Sequence, residues 1–181
     1  MDLAQYCRAM AQYNAWMNRK IYNVCAELSD PDRKRDVGAF FRSIHGTLNH
    51  LLLTDSVQLG RFIGADRTKL LDERGAPIVI RSLDQELYSD FVRLRTEREK
   101  LDTLIEQWTN SLTLADLCGQ LRYVAMADGR EHEHPIWWAV VHMFNHQTHH
   151  RGQVTTLLKQ LGRDPGVTDL MAFLRSEGTH A

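Results

Sequence analysis

From Leu3 to about Leu28, apolar and aromatic residues return at steps of three and four (Leu3, Tyr6, Met10, Tyr13, Met17, Ile21, Val24, Leu28), the period of an amphipathic helix. Ser29-Asp30-Pro31-Asp32 stops that pattern, and a charged linker, Arg33-Lys34-Arg35-Asp36, leads to a second helical stretch from about Val37 to Ile63. Residues 65–82 hold Gly75, Pro77 and the run Ile78-Val79-Ile80, and read as a loop with a brief extended piece. Ser82, followed by Asp84 and Glu86, has the form of a capped helix start, which places a third helix from there to about Asn110. Alternation at Leu121, Tyr123 and Ala125, followed by Asp128-Gly129, signals a two-stranded hairpin. Pro135 suits the first turn of a fourth helix reaching about Leu161, closed by Gly162, and a last short helix runs from Asp169 to Ser176. The expected fold is all-α, one domain over residues 1–181. It is a four-helix bundle of the up-down-down-up type, with a small β-hairpin before the last long helix and a short C-terminal helix.

Composition narrows the function classes. The 22 Lys and Arg balance 23 Asp and Glu, for a formal net charge of −1 without a concentrated basic block. That disfavours a nucleic-acid partner held by phosphate neutralisation. Cys7, Cys25 and Cys118 are odd in number, widely spaced and outside any CxxC pattern, as reduced thiols would be. The N-terminus lacks a basic-then-apolar leader, and no stretch approaches the ~20 apolar residues that span a bilayer. The expected setting is therefore cytoplasmic, with no membrane partner.

Nine histidines, concentrated in residues 45–50 and 132–150, call for a chemical explanation. On the fourth helix, at about 100° per residue, His142, His146, His149 and His150 fall within an arc of roughly 100°. His146 and His150 point towards the apolar cluster of that helix, with His142 and His149 at its margin. Imidazoles at i and i+4 stand one turn apart and can reach the same ion. A lone histidine on an apolar face is more often a hydrogen-bonded core residue, and Gln147 stands where the HExxH motif of zinc proteases has its glutamate. A third ligand would come from the second helix, where His45, His50 and Asp55 are available. Asp55 faces the middle of that helix's apolar stripe, His45 lies roughly 80° from it and His50 roughly 140°. Periodicity alone selects Asp55 or His45.

Several blocks together resemble the DinB/YfiT-like family of metal-dependent hydrolases and thiol transferases. They are Tyr13-Asn14-Ala15-Trp16, the run Ser43 to His50 with Asp55 and Arg61 beyond, the late block from His142 to Gln153, and Thr168-Asp169. The resemblance covers nearly the whole chain and implies a four-helix bundle in which one histidine of the second helix and a His-x3-His pair of the last long helix bind a divalent cation, zinc or nickel. Carried over by position, it makes His50, His146 and His150 the ligands. It also implies a homodimer, and a small-molecule substrate such as a low-molecular-weight thiol, activated on the metal for S-transfer, or water for hydrolysis. A non-catalytic metal-binding or dimeric bundle is the alternative. Around the ligands, His45 is a candidate pocket or second-layer residue, as are His142 and His149. Asp55 is a candidate partner for a ligand's second nitrogen. Arg61 and Arg151 are candidate anion-binding groups, with salt bridges as the plainer reading.

Overall fold

The computed structural model of the chain describes residues 2–126 and 128–178. Four long helices form the body: α1 (Leu3–Ala26), α3 (Ile44–Ile63), α4 (Phe91–Ser111) and α6 (Ile136–Gln160). Between them lie α2 (Asp30–Lys34), a 3-10 turn at Ala65–Thr68, α5 (Leu114–Cys118), and the strands β1 (Gln120–Val124) and β2 (Glu131–Pro135); α7 (Leu170–Gly178) follows α6. α1 packs on α4 and α6, and α3 packs on the same two, so the helices form a ring with α1 and α3 on one diagonal.

Side-chain pairs fix the directions. Asn49, early in α3, accepts from the backbone N–H groups of Leu87 and Tyr88 just before α4, both at 2.9 Å, while Phe62 and Trp108 stack at 4.7 Å where the two helices end. α3 and α4 therefore run parallel. α1 opposes α4, because Asn14 reaches Asp102 while Tyr22, near the end of α1, stacks on Phe91 at the start of α4. α6 runs with α1, from the Asn14–Arg151 contact to the Arg163–Glu27 pair beyond its end. The order is up-down-down-up, and the parallel step from α3 to α4 requires the long return segment 64–90.

The boundaries differ from the sequence expectations in physically readable ways. α1 ends at Ala26, and α2 occupies what reads as a stop and linker, because Ser29 caps it through Asp32 and Pro31 sits in its first turn. The second long helix starts at Ile44 instead of Val37: Ser43 accepts from the Gly46 N–H at 3.0 Å, and a tight turn with Arg42 at φ 67° precedes it. The third starts at Phe91 instead of Ser82, capped by Asp90, and residues 81–90 run as turns held by Asn49. Ile78-Val79-Ile80 forms no strand; the extended contact there is an isolated bridge between Leu71 and Pro77. α5 lies where residues 114–118 had no assigned helix, with Thr113 and Asp116 forming its capping box. The antiparallel hairpin is present, and Pro135 ends β2 and precedes the first turn of α6 instead of lying within it.

Inside the ring lies a buried polar network that joins all four helices. Asp55 of α3 accepts from Arg98 of α4 at 2.6 Å and from the Gln147 amide of α6 at 3.0 Å. Arg98 also pairs with Asp102 at 2.8 Å, and Asp102 accepts from Asn14 and Asn18 of α1. Asn14 in turn accepts from Arg151 of α6. Burial pushes the Asp55 and Asp102 carboxyls towards their neutral forms, with Arg98 opposing it. Burial also opposes the charge on Arg98, but Asp102 and Asp55 outweigh it and hold that guanidinium above its ordinary value. Removing one partner leaves a buried charge uncompensated, so Asp55→Ala should cost about 3–5 kcal/mol of folding free energy. Urea denaturation measures this, and a loss under about 1 kcal/mol, the scale of an exposed pair, would show that the network does not hold the bundle.

Candidate metal centre

The antiparallel pairing of α3 and α6 brings His50 against His146 and His150. One nitrogen from each of the three lies within 4.8 Å of one from each of the others. His50 and His150 are buried and His146 is partly so. Hydrogen bonding fixes which nitrogens face inward. The Leu83 carbonyl can only accept, so His50 donates to it through Nδ1 at 2.7 Å, leaving the Nε2 lone pair free. Nδ1 of His150 likewise donates to Gln153 Oε1 at 2.7 Å. His146 has its Nδ1 buried without a partner and its Nε2 3.2 Å from Nε2 of His50.

This donor set fits a divalent cation. Neutral imidazoles with the second nitrogen tied to an oxygen are the usual ligand form. A tetrahedral zinc site with nitrogen ligands has edges of roughly 3.3 Å, close to the His50–His146 separation. The electrostatics agree. Burial, aided by the neighbouring imidazoles, pushes His146 down to about 3 and His50 down to about 4, and lowers His150 as well. The trio is therefore uncharged at neutral pH, as ligands must be.

Phe41 packs against two of the three histidines. Its ring stacks on His50 at 3.7 Å and meets His150 edge-on at 5.4 Å. The approach depends on Gly46, where a Cβ would collide with the Phe41 carbonyl oxygen. His50 and His146 also line a cavity of about 520 Å³ bounded by α3, α6 and the hairpin, and among the described residues no carboxylate lines it.

The remaining candidate residues separate clearly. His45 is fully buried and donates to the Tyr88 carbonyl at 2.8 Å, which takes it out of the pocket and makes it a clamp on the return segment. Asp55 does not orient a ligand histidine; that part falls to the Leu83 carbonyl and Gln153, while Asp55 holds Arg98 and Gln147. Helix-face arithmetic on α3 passes over His50 because the stripe centre belongs to the ion network. His50 is buried under Phe41 and the return segment, which are remote from its own helix packing. Arg151 is buried inside that network and inaccessible to substrate. His142 is exposed, one turn from His146, and lines the cavity; His149 is exposed beside His150 and near Gln153. Arg61 lines the cavity with its guanidinium over the Tyr123 ring at 3.9 Å. Burial raises the Cys7 thiol to about 11 and the Cys25 thiol to about 12, so neither is a ready nucleophile. Sequence reading misses Phe41, Leu83 and Gln153 as site residues. Gln153 carried a signal, standing one turn from His150, whereas Phe41 and Leu83 arrive through turns with no periodicity.

Unfolded, each imidazole titrates near 6.5; folded, His50 and His146 resist protonation down to about 4 and about 3. Below about pH 6.5 the unfolded chain therefore binds protons that the folded chain does not, so stability falls as pH drops through that window. The urea midpoint of metal-free protein should decrease from about pH 7 to about pH 5, and less steeply in His146→Gln. Equal slopes in both proteins would assign the effect elsewhere.

The comparisons with known proteins agree with this architecture. The sequence model of the DinB family matches residues 2–181. A curated relative, Protein DinB of Bacillus subtilis (strain 168), is 23% identical over 175 residues, covering 95% of each chain. The crystal structure of a DinB-like protein from Bacillus cereus superposes with a TM-score of 0.59 at 21% identity, over 86% of this chain and 91% of that one, and shows the shared fold. With a match spanning nearly every residue and a bundle of the corresponding topology, this chain belongs to the DinB family.

Proposed function

We propose that this protein is a metal-dependent enzyme in which His50, His146 and His150 hold one divalent ion, zinc or nickel, and that it activates a low-molecular-weight thiol or water for S-transfer or hydrolysis. The observation that carries this reading is the convergence of three uncharged imidazoles, two of which, His50 and His146, line an open cavity. A purely structural metal site is closed by four protein ligands, and among the described residues the cluster has three. An ion held there supplies Lewis acidity, lowering the pKa of a water or thiol in contact with it.

The chain's own residues divide the remaining work. Leu83 and Gln153 keep the His50 and His150 rings turned inward. Phe41 shields one side of the trio from water. The cavity offers apolar walls from Trp138, Ala139 and Leu83, which suit a small organic substrate. His142, exposed to the cavity one turn from His146, is placed to carry a proton to or from solvent. Among the described residues no carboxylate general base lines this cavity, which favours a nucleophile already acidified by the ion over one deprotonated by a neighbouring acid residue.

Metal analysis of purified protein should find about one zinc or nickel per chain. His146→Ala should weaken metal binding by at least ~tenfold and abolish thiol transfer to an electrophile such as monobromobimane. If the wild-type protein takes up neither metal, or if His146→Ala retains both uptake and activity, the reading fails. If a chelator unfolds the bundle and no thiol or water chemistry is detected across a substrate panel, the non-catalytic reading takes its place.

A further inference from the structure

The cavity has one guanidinium at its outer end and, among the described residues, no acid to neutralise it. Arg61 lies eleven residues beyond His50 on α3, three turns that return to the same face within roughly 20° and rise about 16 Å. Thr54 and Gln58 lie on the stripe between them, and Trp138 and His142 face it from α6. Tyr123 holds the plane of the guanidinium from one side. Several other arginines of the chain have acids: Arg42 pairs with Asp36, Arg95 with Glu99, Arg122 with Glu133. Arg61 has no acid partner among the described residues, and burial, which disfavours its charge, is opposed there by Tyr123 alone. A partly buried, oriented and unpaired guanidinium lacks the counter-ion that such groups ordinarily have.

We propose that this counter-ion comes from the ligand: the cavity takes an elongated small molecule with a terminal carboxylate seated in the fork of Arg61 and its reactive end at the histidine trio. The placement of the reactive end rests on the proposed metal-centre reading; the carboxylate subsite does not. A carboxylate matches the guanidinium fork with two parallel hydrogen bonds, and the ~16 Å rise between the two positions on α3 calls for an elongated ligand. Among the described residues the walls carry no acid, which favours the same charge. The subsite selects substrates by length and charge, while the trio selects them by chemistry.

Isothermal titration calorimetry with octanoate and octanol tests the subsite on metal-free protein. Octanoate should bind at least about tenfold more tightly than octanol, the scale of a charge-assisted pair. Arg61→Gln should erase that difference without changing the octanol affinity, and Arg61→Lys should restore part of it. If octanoate binds wild type and Arg61→Gln equally, the proposal is overturned. Mercaptooctanoate on zinc-loaded protein separates the two readings. A gain over octanoate that depends on zinc supports the trio as the seat of the reactive end. Absence of that gain, with the Arg61 preference intact, sinks the metal reading and leaves the carboxylate subsite standing.

Discussion

Asp55, Arg98, Asp102 and Arg151 bring two negative and two positive charges into the centre of a small helical bundle, and the geometry of everything else follows from keeping them matched. Each ion removed from water carries a desolvation penalty of several kcal/mol, offset only when every charge keeps its partners. Slippage of any one helix along its axis would separate at least one pair, since Asn14 and Asn18 come from α1, Asp55 from α3, Arg98 and Asp102 from α4, and Gln147 and Arg151 from α6. Apolar packing of Leu52, Ile105 and Phe144 supplies burial but tolerates small shifts. The ionic centre does not, and it sets the register and rotation of the four helices.

That register is what assembles the histidine trio. Gln147, tied to Asp55, is the residue after His146, so the network fixes the turn of α6 from which His146 and His150 project. The site thus combines a rigid charged interior with an uncharged ligand set at its edge. Three neutral imidazoles would leave the full positive charge of a divalent ion held there unbalanced by their own charge, and Arg61 adds a positive charge further along the cavity.

The long helices were legible because their apolar period is sustained, as in α1 from Leu3 to Val24. Their starts were less so. Ser82 followed by acids resembles a cap as closely as Asp90 does, and it is bonds from a distant helix, Asn49 to Leu87 and Tyr88, His45 to Tyr88 and His50 to Leu83, that hold that segment non-helical. The orientation of His146 and His150 followed from spacing within one helix. His50 did not, because its burial is supplied by Phe41 and Leu83, which reach it through turns whose geometry leaves no periodic trace. The family resemblance pointed to it where the helix wheel did not. Asp55 shows the reverse case. Its place at the stripe centre was correctly read from periodicity, yet the same buried position serves a structural ion pair instead of a ligand role.

Parallel α3 and α4 oblige the chain to travel back the length of the bundle before α4 can begin. This return passes the histidine trio, and at Leu83 its backbone becomes part of the centre by accepting the proton of His50 Nδ1. A backbone carbonyl serves there whatever side chain residue 83 carries, so the composition of the segment is free to drift while its path is not. The constraint is one of length and anchoring: His45 and Asn49 pin Tyr88, and the four residues between the anchors at Leu83 and Tyr88 are the span that a relative could not shorten without turning the His50 ring.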